Sequence, residues 1–389
     1  MYTAEELLAK VNAAIKAITV ADLGSAVLQP EKQQKFVRAM EAKAVALAEC
    51  RRLDMKSHTA DIDRIGFGSR ILQVPPAAGV APEDRKPTIG TNQIVAKEFM
   101  AVVGVKDSTM EDNIEKADFA DSLNELIGNR CGVDLQEVCF QGDTGSGDTF
   151  LAQFDGWLKL AGNAVSGAVT DKVGGGNSTV AVATAKGDRQ MTVADAANFA
   201  ADDFVRIGAG LTREYAKIQG VAGAVLTFTS ELKHAHYVGE AVVEITELPD
   251  FNLYDVEDMF DAMLSALPEQ YKADPSQLRF WVPWATENAY RDKLRARGTA
   301  LGDQAQQASA PLAFKGVPIR ACASVPAGKA LLAHPDNMAY GVYRDVRIEP
   351  EREAKLLQTD FVASLRAGAN YEEEDGAVVA SGYEVPPRV

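Results

Sequence analysis

Ser108-Thr-Met-Glu111-Asp-Asn-Ile114-Glu-Lys-Ala-Asp-Phe119-Ala-Asp-Ser-Leu123-Asn-Glu-Leu126-Ile127-Gly128-Asn-Arg-Cys131-Gly132-Val-Asp-Leu135-Gln-Glu-Val138-Cys139-Phe140 is the longest periodic stretch of the chain. Its apolar residues are Ile114, Phe119, Leu123, Leu126, Ile127, Cys131, Leu135, Val138 and Cys139. They follow mostly at steps of three and four, the period of one helix face. Ser108-x-x-Glu111 can cap the start, so the spacing predicts a helix over 108–140. Gly128 and Gly132 fall inside it, each costing about 1 kcal/mol against Ala. Four residues apart on one face, they fit either a close backbone approach or a kink. The helix runs into Gln141-Gly-Asp-Thr-Gly-Ser-Gly-Asp148. A phosphate loop needs strand, then glycines, then helix, and ends in Gly-Lys-Ser/Thr. This segment has neither feature and reads as a flexible turn.

Upstream, the pattern is that of strands. Arg70-Ile-Leu-Gln-Val74 is strand-like, Pro75, Pro76, Gly79 and Pro82 interrupt it, and basic Arg85-Lys86 follows. Asn92 to Val105 reads as a longer strand, through Ile94-Val95, Phe99-Met100 and Val102-Val103. A connecting loop of about 17 residues is long for a hairpin inside one compact domain. Residues 61–107 are therefore expected to form an extended β-hairpin that another domain or subunit covers. Residues 1–60 read as a helical arm. Thr3-x-x-Glu6 caps a first helix over Leu7, Leu8, Val11, Ala14, Ile15 and Ile18; Gly24 breaks it. Pro30 opens a second, lined by Phe36, Val37, Met40, Ala44, Val45 and Ala48. The charges on these helices read as a solvated face.

Downstream, residues 108–164 complete the helix and its exit, and the composition shifts at about residue 165. From Val165 to Ile245 there is no Pro or Trp. Thr179–Thr184, Phe204–Ile207, Tyr215–Ile218, Val225–Phe228 and Ala241–Ile245 are five expected strands, separated by glycine turns. Such spacing predicts a small β-barrel or sandwich, inserted over 165–246. Its seven Lys/Arg against nine Asp/Glu leave it near neutral. It is expected to fold alone, with its two ends close together. His234-x-His236 in its last loop is two ligands short of a structural zinc site, which needs four; we read surface histidines. The mixed pattern returns over 247–340, with helices at Val256–Leu267 and Thr286–Arg297 and a strand at Leu278–Val282. Arg291, Lys293, Arg295 and Arg297 make a basic helix face, read as solvated. Residues 299–312 read as a loop. Strands at 317–319, 330–332, 340–343, 346–348, 361–365 and 378–379 complete the chain, the segment 341–389 returning to the domain of the long helix.

The chain has 389 residues, Lys+Arg 40 against Asp+Glu 55, and a net charge of −15. Residues 1–56 carry nine Lys/Arg and seven Asp/Glu, so the remainder stands at −15 − 2 = −17. That argues against whole-surface binding of nucleic acid, which rests on cationic neutralisation of phosphates. No apolar stretch reaches the roughly 18 residues of a membrane span, and Glu5 and Glu6 do not fit a signal peptide. Cys50, Cys131, Cys139 and Cys322 form no C-x-x-C pair and are expected as free thiols. No nucleophile elbow or H-E-x-x-H motif occurs. We therefore expect no catalytic, cofactor or metal residues.

The order of these elements resembles a known family, the major capsid proteins of tailed bacteriophages. The residues that carry the resemblance begin with Asp112-Asn-Ile-Glu115, Phe119, Asp134-Leu-x-Glu137 and Gly142-Asp143, which resemble the family's spine helix and its exit. Phe154-Asp-Gly-Trp157-Leu158 and Leu278-Arg-Phe-Trp-Val-Pro283, then Tyr290-Arg and Leu294, resemble the axial domain's opening and its strand–helix unit. Leu312, Lys315-Gly-Val-Pro-Ile319, Val325-Pro-Ala-Gly328 and Leu331-Leu332 resemble the family's late strands, and Arg344-Asp-Val-Arg347-Ile348-Glu349 and Asp360-Phe with Arg366 resemble the return into the peripheral domain. The resemblance covers about 60–165 and 247–385 and implies an α+β fold: N-terminal arm, extended hairpin, spine helix, peripheral and axial domains. The inserted β domain departs from the simplest members.

The function it implies is self-assembly into pentamers and hexamers of an icosahedral shell, with no enzymatic activity and no cofactor. The implied partners are a separate scaffolding protein without proteolytic removal of the arm, a portal protein, a decoration protein, and packaged DNA contacted weakly on the inner face. No membrane is involved. The implied location is the virion capsid, assembled in the host bacterial cytoplasm. Subunit contacts are expected at Arg70, Arg85, Lys86, Lys97, Arg344 and Arg347, and the insert is expected on the outer face. An encapsulin-like compartment is the alternative within the fold. An enzyme or carbohydrate-binding protein with a β-module is the alternative outside it.

Overall fold

The computed structural model describes residues 44–66, 72, 88–106, 108, 119–296 and 312–386. The arm helices before Ala44, the Arg70–Val74 strand apart from Leu72, and the loop expected over 299–312 apart from Leu312 lie outside them. The chain divides into two units, Met1–Ala161 with Ala333–Gly376, and Gly162–Leu332 with Ala377–Val389.

In the first unit the expected strand Asn92–Val105 is two strands. After a helical turn at Val45–Glu49 come β1 (Arg51–Asp54), β2 (Thr59–Gly66), β3 (Thr88–Val95) and β4 (Lys97–Lys106). The helical turn reaches one residue past Ala48, the last position expected on the second arm helix, but the arm expected to be helical to residue 60 then turns to strand, and β1 runs parallel to β16 (Met338–Glu353). β2 and β3 form the two-stranded hairpin, registered from Thr59↔Val95 to Gly66↔Thr88. The fully buried Ala96 separates β3 from β4, and its N–H donates to the His58 carbonyl at 2.9 Å. Beyond it the chain joins another sheet, of order β1-β16-β17-β4, with β17 at Gln358–Tyr371. The buried side falls on even positions before the break, as at Ile94, and on odd positions after it, as at Val105, while β-forming residues run through it without a turn signal.

The long helix is described over Phe119–Gln141. Its Leu123, Ile127 and Cys131 pack on Val105, Phe361, Ala363, Leu365 and Ala367 of β4 and β17. Neither interior glycine marks a close approach: a Cβ at Gly128 meets nothing within 4 Å, and one at Gly132 meets only Ala44 at 3.7 Å. The tight contacts come after the helix. A Cβ on Gly142 or Gly156 falls within 3.0 Å of backbone carbonyls, and Gly156 N–H donates to the Gly142 carbonyl at 2.8 Å. The exit turn is not a floppy linker but a bonded one. Lys159 Nζ reaches Asp143 at 2.7 Å and Asp155 at 2.8 Å, and Thr144 N–H donates to Asp155 at 2.8 Å.

A second pair of glycines seats the hairpin. Gly341 of β16 and Gly368 of β17 face each other in register. A Cβ on Gly341 crowds Met55 and Ile94, and one on Gly368 falls within 3.0 Å of the Val95 carbonyl. Met55, Ile62, Ile94, Ala96 and Ala339 form the small core there. Asn92 donates to the Tyr371 carbonyl at 3.0 Å and Asn370 to the Gln93 carbonyl at 2.9 Å.

The second unit holds two sheets. One has the order β13-β14-β12-β15-β18-β5: β5 Asn163–Ser166, β12 Arg279–Val282, β13 Ala313–Phe314, β14 Val317–Ala321, β15 Lys329–Ala333 and β18 Ala377–Ser381. Helices Val256–Ala266 and Trp284–Ala296 pack on it around Phe260, Phe280, Tyr290 and Phe314. Asp255 caps the first, accepting from Glu257 N–H at 2.9 Å. β5 and β18 pair in parallel. Val165 therefore belongs to this sheet rather than to the insert, and Ala377–Ser381 to this unit rather than to that of the long helix.

The insert has six strands instead of five: β6 Asn177–Thr179, β7 Gln190–Thr192, β8 Phe204–Ile207, β9 Glu214–Ala222, β10 Val225–Phe228 and β11 Ala241–Ile245. Their order is β6-β11-β8-β9-β10-β7. The ends meet through Ala194 N–H to Thr179 O and Ala181 N–H to Thr192 O, both 2.8 Å, so of barrel and sandwich it is the barrel that forms. The strand expected at Thr179–Thr184 leaves the ladder after Thr179, because Val180 and Thr184 make only single bridges, to Val193 and His236. Met191, Val205, Ile207, Ile218, Leu226 and Phe228 fill a core separate from that of the other sheet. The chain enters and leaves through paired segments: Lys172 N–H donates to Glu244 O at 2.9 Å and Thr246 N–H to Thr170 O at 3.0 Å.

Two glycine substitutions separate close approach from mere helix placement. Gly368→Ala is expected to destabilise the first unit by about 1–3 kcal/mol, the usual cost of forcing an extra group into a packed contact. Gly128→Ala is expected to gain up to about 1 kcal/mol, since helix propensity rises with no clash to offset it. Denaturant unfolding curves of both variants check the pair, and equal signs would refute the notch.

Candidate assembly surface

β4 lies at the end of its sheet, and among the described residues no strand bonds to its second edge. Phe99-Met-Ala-Val-Val-Gly-Val105 places seven uncharged residues along that edge. The faces divide by alternation: Val105 is buried towards the long helix with Phe99 and Val103 against it, while Met100 and Val102 are 72% and 55% exposed. An uncharged free edge beside an exposed apolar row is a template for pairing with another chain. β16 is also half free. Its pairing with β1 ends at Val342, and from Tyr343 onward β17 is the one strand that pairs with it among the described residues. There Arg344, Asp345, Arg347, Glu349, Glu351, Arg352 and Glu353 charge the edge. At the turn, Leu356 and Leu357 are exposed.

The solvent face of this sheet carries an ion-pair cluster. Glu98 on β4 accepts from Arg344 at 2.6 Å and from Arg366 on β17 at 2.8 Å. Hydrogen bonds from Arg366 and Arg344 hold its carboxyl below the usual range. Arg366 also lies over the Tyr343 ring, 5.9 Å from its centroid. Of the residues expected at contacts, Arg344 joins Glu98 in this cluster, while Lys97, opposite Ala367, precedes Glu98 on β4 and so turns to the other face of the sheet. Arg347 pairs instead with Glu349 on its own strand, at 2.6 Å. Arg70, Arg85 and Lys86 lie outside the described residues. Glu98 and Arg366, which organise the cluster, escape a sequence reading because strands far apart in the chain bring them together. Met100 and Val102 were legible as alternate positions of a strand.

The other motifs resolve as structure. Within the basic helix face, Arg291 pairs with Glu287 at 2.6 Å and Arg295 with Asp292 at 3.6 Å, while Lys293 pairs with Asp255 and Glu257. Arg297 lies outside the described residues. All four cysteines are buried and none forms a disulfide. Among the described residues no His, Cys, Asp and Glu cluster could hold a metal, and no helix is long and apolar enough to cross a membrane.

His236 is not the surface histidine that its loop position suggested. It is fully buried. Its Nε2 lies 2.7 Å from Glu214 and its Nδ1 2.7 Å from Glu240. A neutral imidazole can donate to only one of two carboxylates; the imidazolium donates to both. Burial opposes the charge, but the bonds to Glu214 and Glu240 prevail and raise the pKa. Glu214 also accepts from Lys233 N–H at 2.7 Å, so the ring pins the 233–240 loop to β9.

No protein-family model matches the chain. A curated relative, "Putative prophage capsid protein YqbE" of Bacillus subtilis (strain 168), is 25% identical over 379 residues, covering 94% of this chain and 95% of its own. Among solved structures, the capsid of a native GTA particle superposes with TM-score 0.55 at 14% identity, over 94% of this chain and 98% of its own. That of Mycobacterium phage Adephagia gives 0.52 at 13%, over 95% and 99%. Over nearly its whole length the chain is thus similar to a prophage capsid protein, and its fold is that of phage capsid subunits. The holo-SrpI encapsulin complex from Synechococcus elongatus PCC 7942 gives 0.51 at 10% identity, over 92% and 94%, so the capsid fold is shared with a compartment shell. The capsid fold is α+β, and it spans nearly the whole chain, insert included.

The buried histidine sets a pH dependence. Because its folded pKa is raised, its contribution is complete below the ordinary imidazole value of about 6.5 and is lost as pH rises through the higher folded value. Calorimetry is expected to show the barrel melting at lower temperature as pH rises above neutrality. His236→Gln is expected to be less stable in acid and flat across that window. A variant that keeps the wild-type slope would remove His236 as its source.

Proposed function

We propose that this chain is a major capsid protein, the structural subunit of an icosahedral shell that encloses phage double-stranded DNA. The observation that carries it is likeness to capsid proteins over nearly the full length of both partners. The unpaired β4 edge fits that role, since a surface unfinished in one subunit is finished by the next. In this reading the subunits form pentamers and hexamers, the unit of the long helix acts as peripheral domain, and the second unit acts as axial domain. The β2–β3 hairpin lies over a neighbour, with contacts at Arg70, Arg85, Lys86, Lys97, Arg344 and Arg347. The net charge of −17 outside the arm keeps the inner wall from gripping the entering genome. A separate scaffolding protein, a portal and a decoration protein complete the assembly in the host cytoplasm, and the insert projects outward. Maturation is a rigid-body rearrangement of subunits. The role is structural, and no catalytic step is assigned.

Electron microscopy of the purified protein tests the assembly. Closed megadalton shells or capsomers are expected; a 41.7 kDa monomer under every condition would refute the reading. Shells holding cargo protein in place of DNA would favour the encapsulin alternative.

Val102→Lys tests the edge. The residue is exposed, so folding is expected to be unchanged to within about 0.5 kcal/mol, while shell yield falls at least about tenfold because charge on a free strand blocks pairing. Normal shells from a folded Val102→Lys protein would place the contact elsewhere.

A further inference from the structure

Four buried side-chain atoms without a hydrogen-bond partner belong to the region where the barrel meets the six-stranded open sheet: Nε of Arg206, Nε of Arg213, and the hydroxyls of Tyr215 and Tyr383. Arg206 faces Tyr215 across β8 and β9. Arg206, Arg213 and Tyr383 line one open cleft of 1080 Å³, walled also by residues 168–171 of the barrel's neck and by Gly328, Gly382 and Glu384. The cleft therefore joins barrel residues to residues of the sheet, all within one unit.

Two of the unmet groups can only donate. A guanidinium has five donors and no acceptor, so each orphaned Nε–H lacks an acceptor. An unmet buried donor costs about 1–3 kcal/mol, and more when charged. The two arginines differ in what they already hold. Arg206 reaches both oxygens of Asp171 at 3.0 Å through its terminal nitrogen, which leaves Nε unused. Arg213 makes no side-chain hydrogen bond or ion pair among the described residues. Glu384, on the same wall, bonds instead to the Tyr254 hydroxyl and helps to raise its pKa after burial has done so. Arg213 is thus a half-buried guanidinium on the cleft wall with no carboxylate paired to it among the described residues.

We propose that this cleft binds an oxyanion, a carboxylate or phosphate group, with Arg213 as principal ligand and Arg206 Nε as second donor. Planar guanidinium recognises both groups bidentately. Asp171 and Glu384 on the same walls oppose multiply charged ligands, so the site favours a single oxyanion and binds it weakly. Because its walls come from the barrel and from the open sheet, an occupant ties the two together and fixes how the insert is seated.

Equilibrium dialysis of the full-length protein at constant ionic strength tests this, with radiolabelled inorganic phosphate in one arm and radiolabelled succinate in the other. Saturable binding approaching one equivalent per chain is expected for at least one probe. Phosphate alone would mark a phosphoryl site, and succinate alone a carboxylate site. Arg213→Gln is expected to weaken binding about ten- to a hundredfold, the loss of one charged hydrogen-bonding group. Arg213→Lys, which keeps the charge but not the fork, should fall between. Arg189→Gln, whose residue pairs with Glu231 elsewhere on the barrel at 3.2 Å, should bind as wild type. Circular dichroism confirms that each variant is folded. No saturable binding of either probe to the wild type, or equal binding by folded Arg213→Gln, would overturn the proposal.

Discussion

The hairpin can lie where it does only because two facing positions of the long strands have no side chain. Gly341 and Gly368 are partners in register, and together they cut a notch across β16 and β17. The backbone of Val95 and the side chains of Met55 and Ile94 occupy it. From this seat the chain turns at Ala96 and enters the four-stranded sheet as β4. The notch thus fixes where the hairpin departs and which strand is left at the sheet's edge. Any side chain there pushes the hairpin's root outward and moves β4 out of register with β17.

The two edges of that sheet differ in a way that bears on assembly. β16 bristles with alternating charges beyond Val342, the usual guard against indiscriminate pairing. β4 has none between Glu98 and Lys106. A strand so bare is a hazard in a monomer and an asset in a subunit, because head-to-tail contacts join unlike surfaces. The Glu98–Arg344–Arg366 cluster beside it orients the sheet's solvent face. It adds little to stability in itself, being surface-exposed.

What the sequence made legible were features set by local period. The long helix, the isolated run of short strands and the unbridged cysteines follow from spacing, composition and geometry. What it hid were features set by partners. The run from Asn92 to Val105 is rich in β-forming residues with no turn signal inside it, yet its halves belong to different sheets, and only the packing around Ala96 reveals the change. Gln190–Thr192 is three residues long, too short for any pattern, and forms because the barrel needs a closing strand. Val165 and Val378 look like parts of different domains until they pair. His236 sits in a polar, turn-rich loop that reads as exposed; two glutamates, one of them 22 positions away, bury it. Arg213 gave no signal, since a lone arginine before a strand is ordinary until its surroundings show that nothing answers it.

The barrel's neck has a consequence for how such chains diversify. Residues 170–172 and 244–246 run side by side and bond to each other, so the host sheet sees only two adjacent strand ends, separated by about 5 Å as in any antiparallel pair. Whatever is carried beyond them is invisible to the host fold. A lineage can lengthen, replace or lose the carried module by recombination at those ends without renegotiating the fold beneath. The carried barrel is then free to change, while the sheet beneath keeps its own packing.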